Sequence, residues 1–168
     1  AGLKAPRKGL IGPWAHLYPH DGVPGPAIGF LQEALRWWDH WLKGADTGIM
    51  TEPMLRVWMQ ESVPPKPFYK HRPGRWVAEF QWPSPRITFK RHWLDAGRLS
   101  NARAAQVQLD FHSPQTTGLG AAEWCGFGAP GEAPLDQRGD DGCSLTFDSE
   151  PLRERTEILG APVATLEV

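Results

Sequence analysis

The sequence predicts a mainly β protein, a β-sandwich preceded by a single amphipathic helix, and three observations carry that prediction. Glycine and proline number 18 and 17 among 168 residues. That is about a fifth of the chain against a usual ~12%, and frequent turns are what all-β folds require. Beyond Asp46, apolar and polar residues alternate with a period of two, the pattern of half-buried strands. Only one segment repeats its apolar residues at three- and four-residue steps. Nine tryptophans add the apolar area that a core needs.

Taken in order, Gly9-Leu10-Ile11-Gly12 is a short apolar run ending at Pro13, the end of a strand running into a loop. The loop from Trp14 to Gly25 carries His16, His20 and Asp21. From Ile28 to Leu42, Ile28, Leu31, Leu35, Trp38 and Leu42 form a helical stripe that Ala34 and Trp41 widen. Pro26 suits the first helical position, and Gly44 supplies the stop. With Trp37, Trp38 and Trp41, that face is too large for a lone surface helix, so it is expected to pack on something substantial.

Strands are then predicted at Leu55–Met59, Ile87–Leu94, Val107–Phe111, Ser144–Phe147 and Val163–Val168, with no second helix. Breakers such as Pro64-Pro65, Pro73-Gly74, Pro83-Ser84-Pro85 and Gly139-Asp140-Asp141-Gly142 separate them. Residues 112–143 are expected to form a long loop over the sandwich surface. The alternating strand that stops at Val168 and the strand near residue 1 both read as cut from something longer.

A net charge of −1 leaves no electrostatic footprint for nucleic acid or an anionic membrane surface. No apolar run approaches the ~20 residues of a membrane helix. The first residues lack the apolar core of a signal peptide. Cys125 and Cys143 are too few for a disulfide scaffold, so reduced thiols and a cytoplasmic setting are expected.

Among chemistry-bearing residues, His16 stands out in Ile11-Gly12-Pro13-Trp14-Ala15-His16. A histidine just past a strand end is well placed as a general base, with a surface or helix-capping role as the alternative. His20 and Asp21 beside it complete a donor set of zinc type, but no third histidine is near, and no metal or other cofactor is assigned. His40 is expected to be solvated, and His92 to face outward. None of the six serines lies in a G-x-S-x-G setting, so no nucleophile elbow is present. Cys125, between aromatic neighbours, reads as a structural thiol. Trp76, Trp82, Trp93 and Trp124 raise a second hypothesis, a stand-alone β-sandwich module binding carbohydrate or peptide on exposed aromatic faces.

Gly12-Pro13-Trp14-Ala15-His16, followed by the helix from Phe30 to Gly44, resembles the end of the hydrolase domain in the Xaa-Pro dipeptidyl-peptidase and cocaine esterase-like family. Leu55–Met59 and Leu145-Thr146-Phe147-Asp148-Ser149-Glu150-Pro151-Leu152 are similar to landmarks of that family's C-terminal jelly roll. Members are α/β-hydrolases with a Ser-Asp-His triad. The resemblance implies that residues 1–45 are the last strand, histidine loop and last helix of an α/β-hydrolase domain, and 46–168 a partial jelly-roll β-sandwich. It implies that His16 is the triad histidine, with Trp14 packing beside it and the serine and aspartate upstream of residue 1. The implied parent cleaves a small-molecule ester or a short Xaa-Pro peptide. The implied partner is the missing hydrolase domain, with homo-oligomerisation through a strand edge as a further possibility. The chain alone is expected to be inactive, because nucleophile, base and oxyanion donors act as a unit.

Overall fold

The computed structural model describes residues 3–103 and 105–167. The chain divides into two compact units, Ala1–Pro85 with Asp110–Leu145, and Arg86–Leu109 with Thr146–Val168. Strands outnumber helices among the described elements, so the protein is mainly β.

In the first unit, β1 (Gly9–Ile11), β2 (Leu55–Gln60) and β3 (Gly74–Glu79) form one mixed sheet in the order β1-β2-β3. The β1 and β2 strands are parallel, with Leu10 opposite Arg56. Parallel neighbours need a long crossover, usually helical, and α1 (Phe30–Lys43) lies in that connection. Antiparallel to β2 runs β3, with Trp58 opposite Trp76. Ile49 and Val57 are the buried apolar side chains among the described residues. Glu79 is also buried and accepts a 2.6 Å hydrogen bond from the Ser84 hydroxyl, which offsets the cost of placing a carboxylate there.

The helix starts at Phe30, two residues after the expected start, with Gly29 as its N-cap. Pro26 is not its first residue, because the preceding stretch is committed elsewhere. Gly25 bridges to His71, and the Pro26 carbonyl accepts the Trp14 indole N–H at 2.6 Å. The stop is as expected: Gly44 adopts the left-handed conformation, φ 69°, and its N–H reaches back to His40. On one side of α1, Arg36 is hydrogen-bonded to Glu52 and lies 3.5 Å from Glu33. Arg56 reaches Glu33 at 2.9 Å and Glu52 at 3.7 Å. The opposite, apolar stripe is bare. Leu31, Leu35, Trp38 and Leu42 are 53–75% exposed, and no α1 residue is buried. The packing expected for that face is therefore absent among the described residues.

Other expectations need correction. The second unit holds a hairpin of β4 (Trp93–Asp95) and β5 (Arg98–Ser100), closed through Gly97 and bridged from Arg98 to Asp148. Only its first two residues fall in the strand expected at 87–94. The stretch 87–92 is not strand, nor are 107–111, 144–147 and 163–167, and Val168 lies outside the described residues. Alternation marks a face, but a strand also needs a ladder partner, and among the described residues these segments have none. The expected loop at 112–143 contains a 3-10 turn at Leu119–Ala121 and a one-turn helix, α2 (Arg138–Asp141). Asp140 ties the two by accepting the N–H groups of Gly118 and Gly120.

Candidate functional site

His16 sits on the loop that leaves β1. Its position is set first by Trp14. A Cβ at Gly12 or Gly22 would fall inside the Trp14 indole, so glycine at both places lets the ring lie flat against the backbone. Trp14 continues into an aromatic cluster, 6.4 Å from Trp76, which crosses Trp58 edge-on at 5.4 Å. The Trp58 indole N–H donates to the Arg72 carbonyl. Backbone bonds close the loop: Ala15 N–H to Val23 O at 3.0 Å, Asp21 N–H to Tyr18 O, and Ile28 N–H to Pro19 O. Gly25 and residues 70–72 exchange two more, at 2.9 and 3.0 Å.

On this frame the His16 side chain is exposed. Its backbone N–H donates to the Gly126 carbonyl at 3.0 Å, and its ring lies 5.1 Å from Phe127, tilted by 33°. An exposed imidazole on a fixed backbone can exchange protons with a group brought up to it.

His20 does not join it. Its Nε2 faces Asp21 Oδ2 at 3.3 Å, and its ring stacks with Tyr18 and Phe30; its buried Nδ1 has no hydrogen-bond partner among the described residues. Among the described residues, no group of three His, Cys, Asp or Glu is placed to hold a metal ion. His40 is not simply solvated: its Nδ1 lies 3.2 Å from the Ala45 carbonyl, and its ring meets Trp41 edge-on. Cys125 is exposed, Cys143 half-buried, and both are free thiols. Of the tryptophans proposed as a binding face, Trp76 is engaged by Trp14 and Trp58. Among the described residues no ring contact joins Trp82, Trp93 or Trp124 to another aromatic side chain.

A cleft of about 320 Å³ elsewhere in this unit is lined by Lys8, Met50, Thr51, Glu52, Met54 and Phe80 among others. His16 does not line it. Lys8 is bonded there to the Glu52 and Pro53 carbonyls, and burial lowers its pKa despite the Glu52 charge. Its ammonium serves the fold.

The contacts of Gly126 and Phe127 with His16 were not legible in the sequence. A backbone carbonyl has no side-chain signature, and the one hint is an aromatic set between two glycines.

No described helix is long and apolar enough to cross a membrane. No solved structure matches the chain significantly. Among curated proteins it is 31% identical over 169 aligned residues to "Putative serine esterase Mb1866c" of Mycobacterium bovis and, to the same extent, to "Putative serine esterase MT1883" of Mycobacterium tuberculosis. Each alignment covers 94% of this chain and 25% of the relative, so the chain spans about a quarter of the length of the curated relatives it matches. The family model described as the X-Pro dipeptidyl-peptidase C-terminal non-catalytic domain matches residues 47–168. With most of its length inside that match, the chain belongs to the X-Pro dipeptidyl-peptidase C-terminal domain family.

Proposed function

We propose that the chain is the C-terminal portion of a cytoplasmic serine hydrolase that cleaves a small ester or a Xaa-Pro peptide bond by acyl transfer. In this reading residues 1–45 are the end of the α/β-hydrolase domain and 46–168 are a partial jelly-roll β-sandwich. The family match from residue 47 and the esterase names of the two mycobacterial relatives support it. His16 is the general base. It takes the proton from a serine hydroxyl as the oxygen attacks the carbonyl carbon, then gives it to the leaving group. Water deacylates the serine by the same exchange in reverse. The serine, the aspartate and the oxyanion donors belong to the remainder of the parent, whose body covers the bare α1 stripe.

The observation that carries this reading is the setting of His16: exposed, just past a strand end, on a loop fixed by Trp14 and Val23. His16→Ala in the full-length parent is expected to lower turnover by about 10⁶-fold, with an unchanged thermal melt because the side chain packs little. Wild-type turnover in that variant overturns the role.

A further inference from the structure

The segment around Phe127 lies within the family region described as non-catalytic, whereas His16 precedes it. Three contacts nevertheless bring the two together. The first is the 3.0 Å bond from His16 N–H to Gly126 O, and the second is the 5.1 Å ring contact of His16 with Phe127. The third is the seat of Gly128 on Val23: at φ 86°, a Cβ there would meet the Val23 carbonyl oxygen at 2.5 Å. That same carbonyl accepts the Ala15 N–H. One turn thus contacts the backbone of His16, its ring, and Val23, to which Ala15 is bonded.

The turn is itself held from behind. Glu132 accepts the Ala129 N–H at 2.8 Å through its carboxylate and returns its own N–H to the Ala129 carbonyl. Gly131 and Ala133 both donate to the Pro67 carbonyl, at 3.0 and 3.2 Å. On its approach, Ala122 and Cys125 have φ of 63° and 61°, a region that costs a residue with a Cβ of order 1 kcal/mol or more. Such strain persists where the surroundings fix the backbone.

We infer that Phe127 is a positioning residue for His16, so that the family's non-catalytic region sets the orientation of the proposed general base. This rests on the acyl-transfer reading above. An exposed imidazole is free to rotate about its side-chain bonds, and a ring against one face removes part of that freedom. A misdirected base slows proton transfer without weakening substrate binding, so the effect falls on kcat.

The test compares Phe127→Ala, Phe127→Leu and Phe127→Tyr with His16→Ala in the full-length parent, using a chromogenic ester. Phe127→Ala is expected to lower kcat by about tenfold with KM changed less than about twofold, and Phe127→Tyr to restore most of it. Phe127→Leu keeps volume without a flat ring and is expected to fall between; it also serves if the alanine variant does not fold. The His16 ring-proton resonance in histidine-labelled protein is expected to lose its ring-current shift in both non-aromatic variants. If His16→Ala abolishes turnover while the folded Phe127 variants keep wild-type kcat and KM, the positioning role alone is overturned. Full turnover in His16→Ala instead overturns the reading beneath it. A loss of kcat in Phe127→Ala that Phe127→Tyr does not relieve also counts against positioning by an aromatic face.

Discussion

Arg56 Nη2 lies 2.9 Å from Glu33 Oε2, an ion pair that ties the first turns of α1 to β2. Glu33 and Glu52 on one side and Arg36 and Arg56 on the other close a four-charge ring, with each side chain partly exposed. Water screens such pairs, so breaking one is expected to cost at most about 1 kcal/mol. The Arg36 hydrogen bond, aided by the nearby positive charges of Arg36, Arg56 and Lys8, holds the Glu52 carboxyl below its ordinary range. A carboxyl with a depressed folded pKa contributes stability above its unfolded pKa and loses it as pH falls through the folded one. Glu52→Gln is therefore expected to lower the thermal midpoint at pH 7. The gap from wild type should shrink as the pH drops below about 4.3. Melts of both proteins at pH 7 and pH 3 check it, and a gap that widens in acid contradicts the assignment.

The bare stripe of α1 gives a prediction that differs between the isolated chain and the proposed parent. Burying a large apolar side chain stabilises by about 1.5–3 kcal/mol. Covering Leu31, Leu35, Trp38 and Leu42 together then rivals the ~5–15 kcal/mol net stability of a whole domain. Leu35→Ser is expected to change the melt of the 168-residue chain little, because the side chain is already in water. In the parent it is expected to cost about 2 kcal/mol or more. Equal, small effects in both would mean that nothing covers the stripe.

Trp14 has no slack against Gly12 or Gly22. Gly22→Ala places a methyl group where the indole lies, so either the ring or the loop must move. A cost of about 1–3 kcal/mol is expected, together with altered tryptophan fluorescence, since Trp14 adjoins Trp76. An unshifted spectrum and an unchanged melt would show that the indole sits elsewhere.

On the proposed function, the isolated chain is expected to take up no serine-directed fluorophosphonate, because a general-base histidine cannot activate a hydroxyl without the rest of its catalytic set. Intact mass after incubation reads this directly, and stoichiometric labelling sinks it. With a thiol-specific alkylating agent, exposed Cys125 is expected to react before half-buried Cys143. Peptide mapping of the first adduct tells them apart.

What the sequence revealed and what it hid have physical reasons. The β1 and β2 strands and α1 were legible because each carries its own period or flanking signal, and Gly44 ended the helix as its lack of Cβ allows. The β3 strand was invisible because an inward position holds Glu79, whose burial depends on Ser84. Pairing partners are the other blind spot: Ile87–His92 alternates as regularly as β2 does, yet among the described residues no ladder forms on it. For the candidate site, the sequence singled out His16 by its place after a strand and by the family resemblance. Its grip by Gly126, Phe127 and Gly128 was not legible, because backbone bonds across most of the chain leave no local pattern.

The parallel pairing of β1 with β2 bears on how the protein can be dissected. The segment matched by the family model begins at residue 47, between the two strands. Cleaving there would leave the peptide groups of Leu55–Val57 facing solvent along one side and would detach Arg36 from Glu52. The family match and the β1-β2-β3 sheet therefore do not share a border. Excising residues 47–168 is expected to give a polypeptide that associates through that exposed side, whereas a boundary placed before Gly9 keeps the sheet whole.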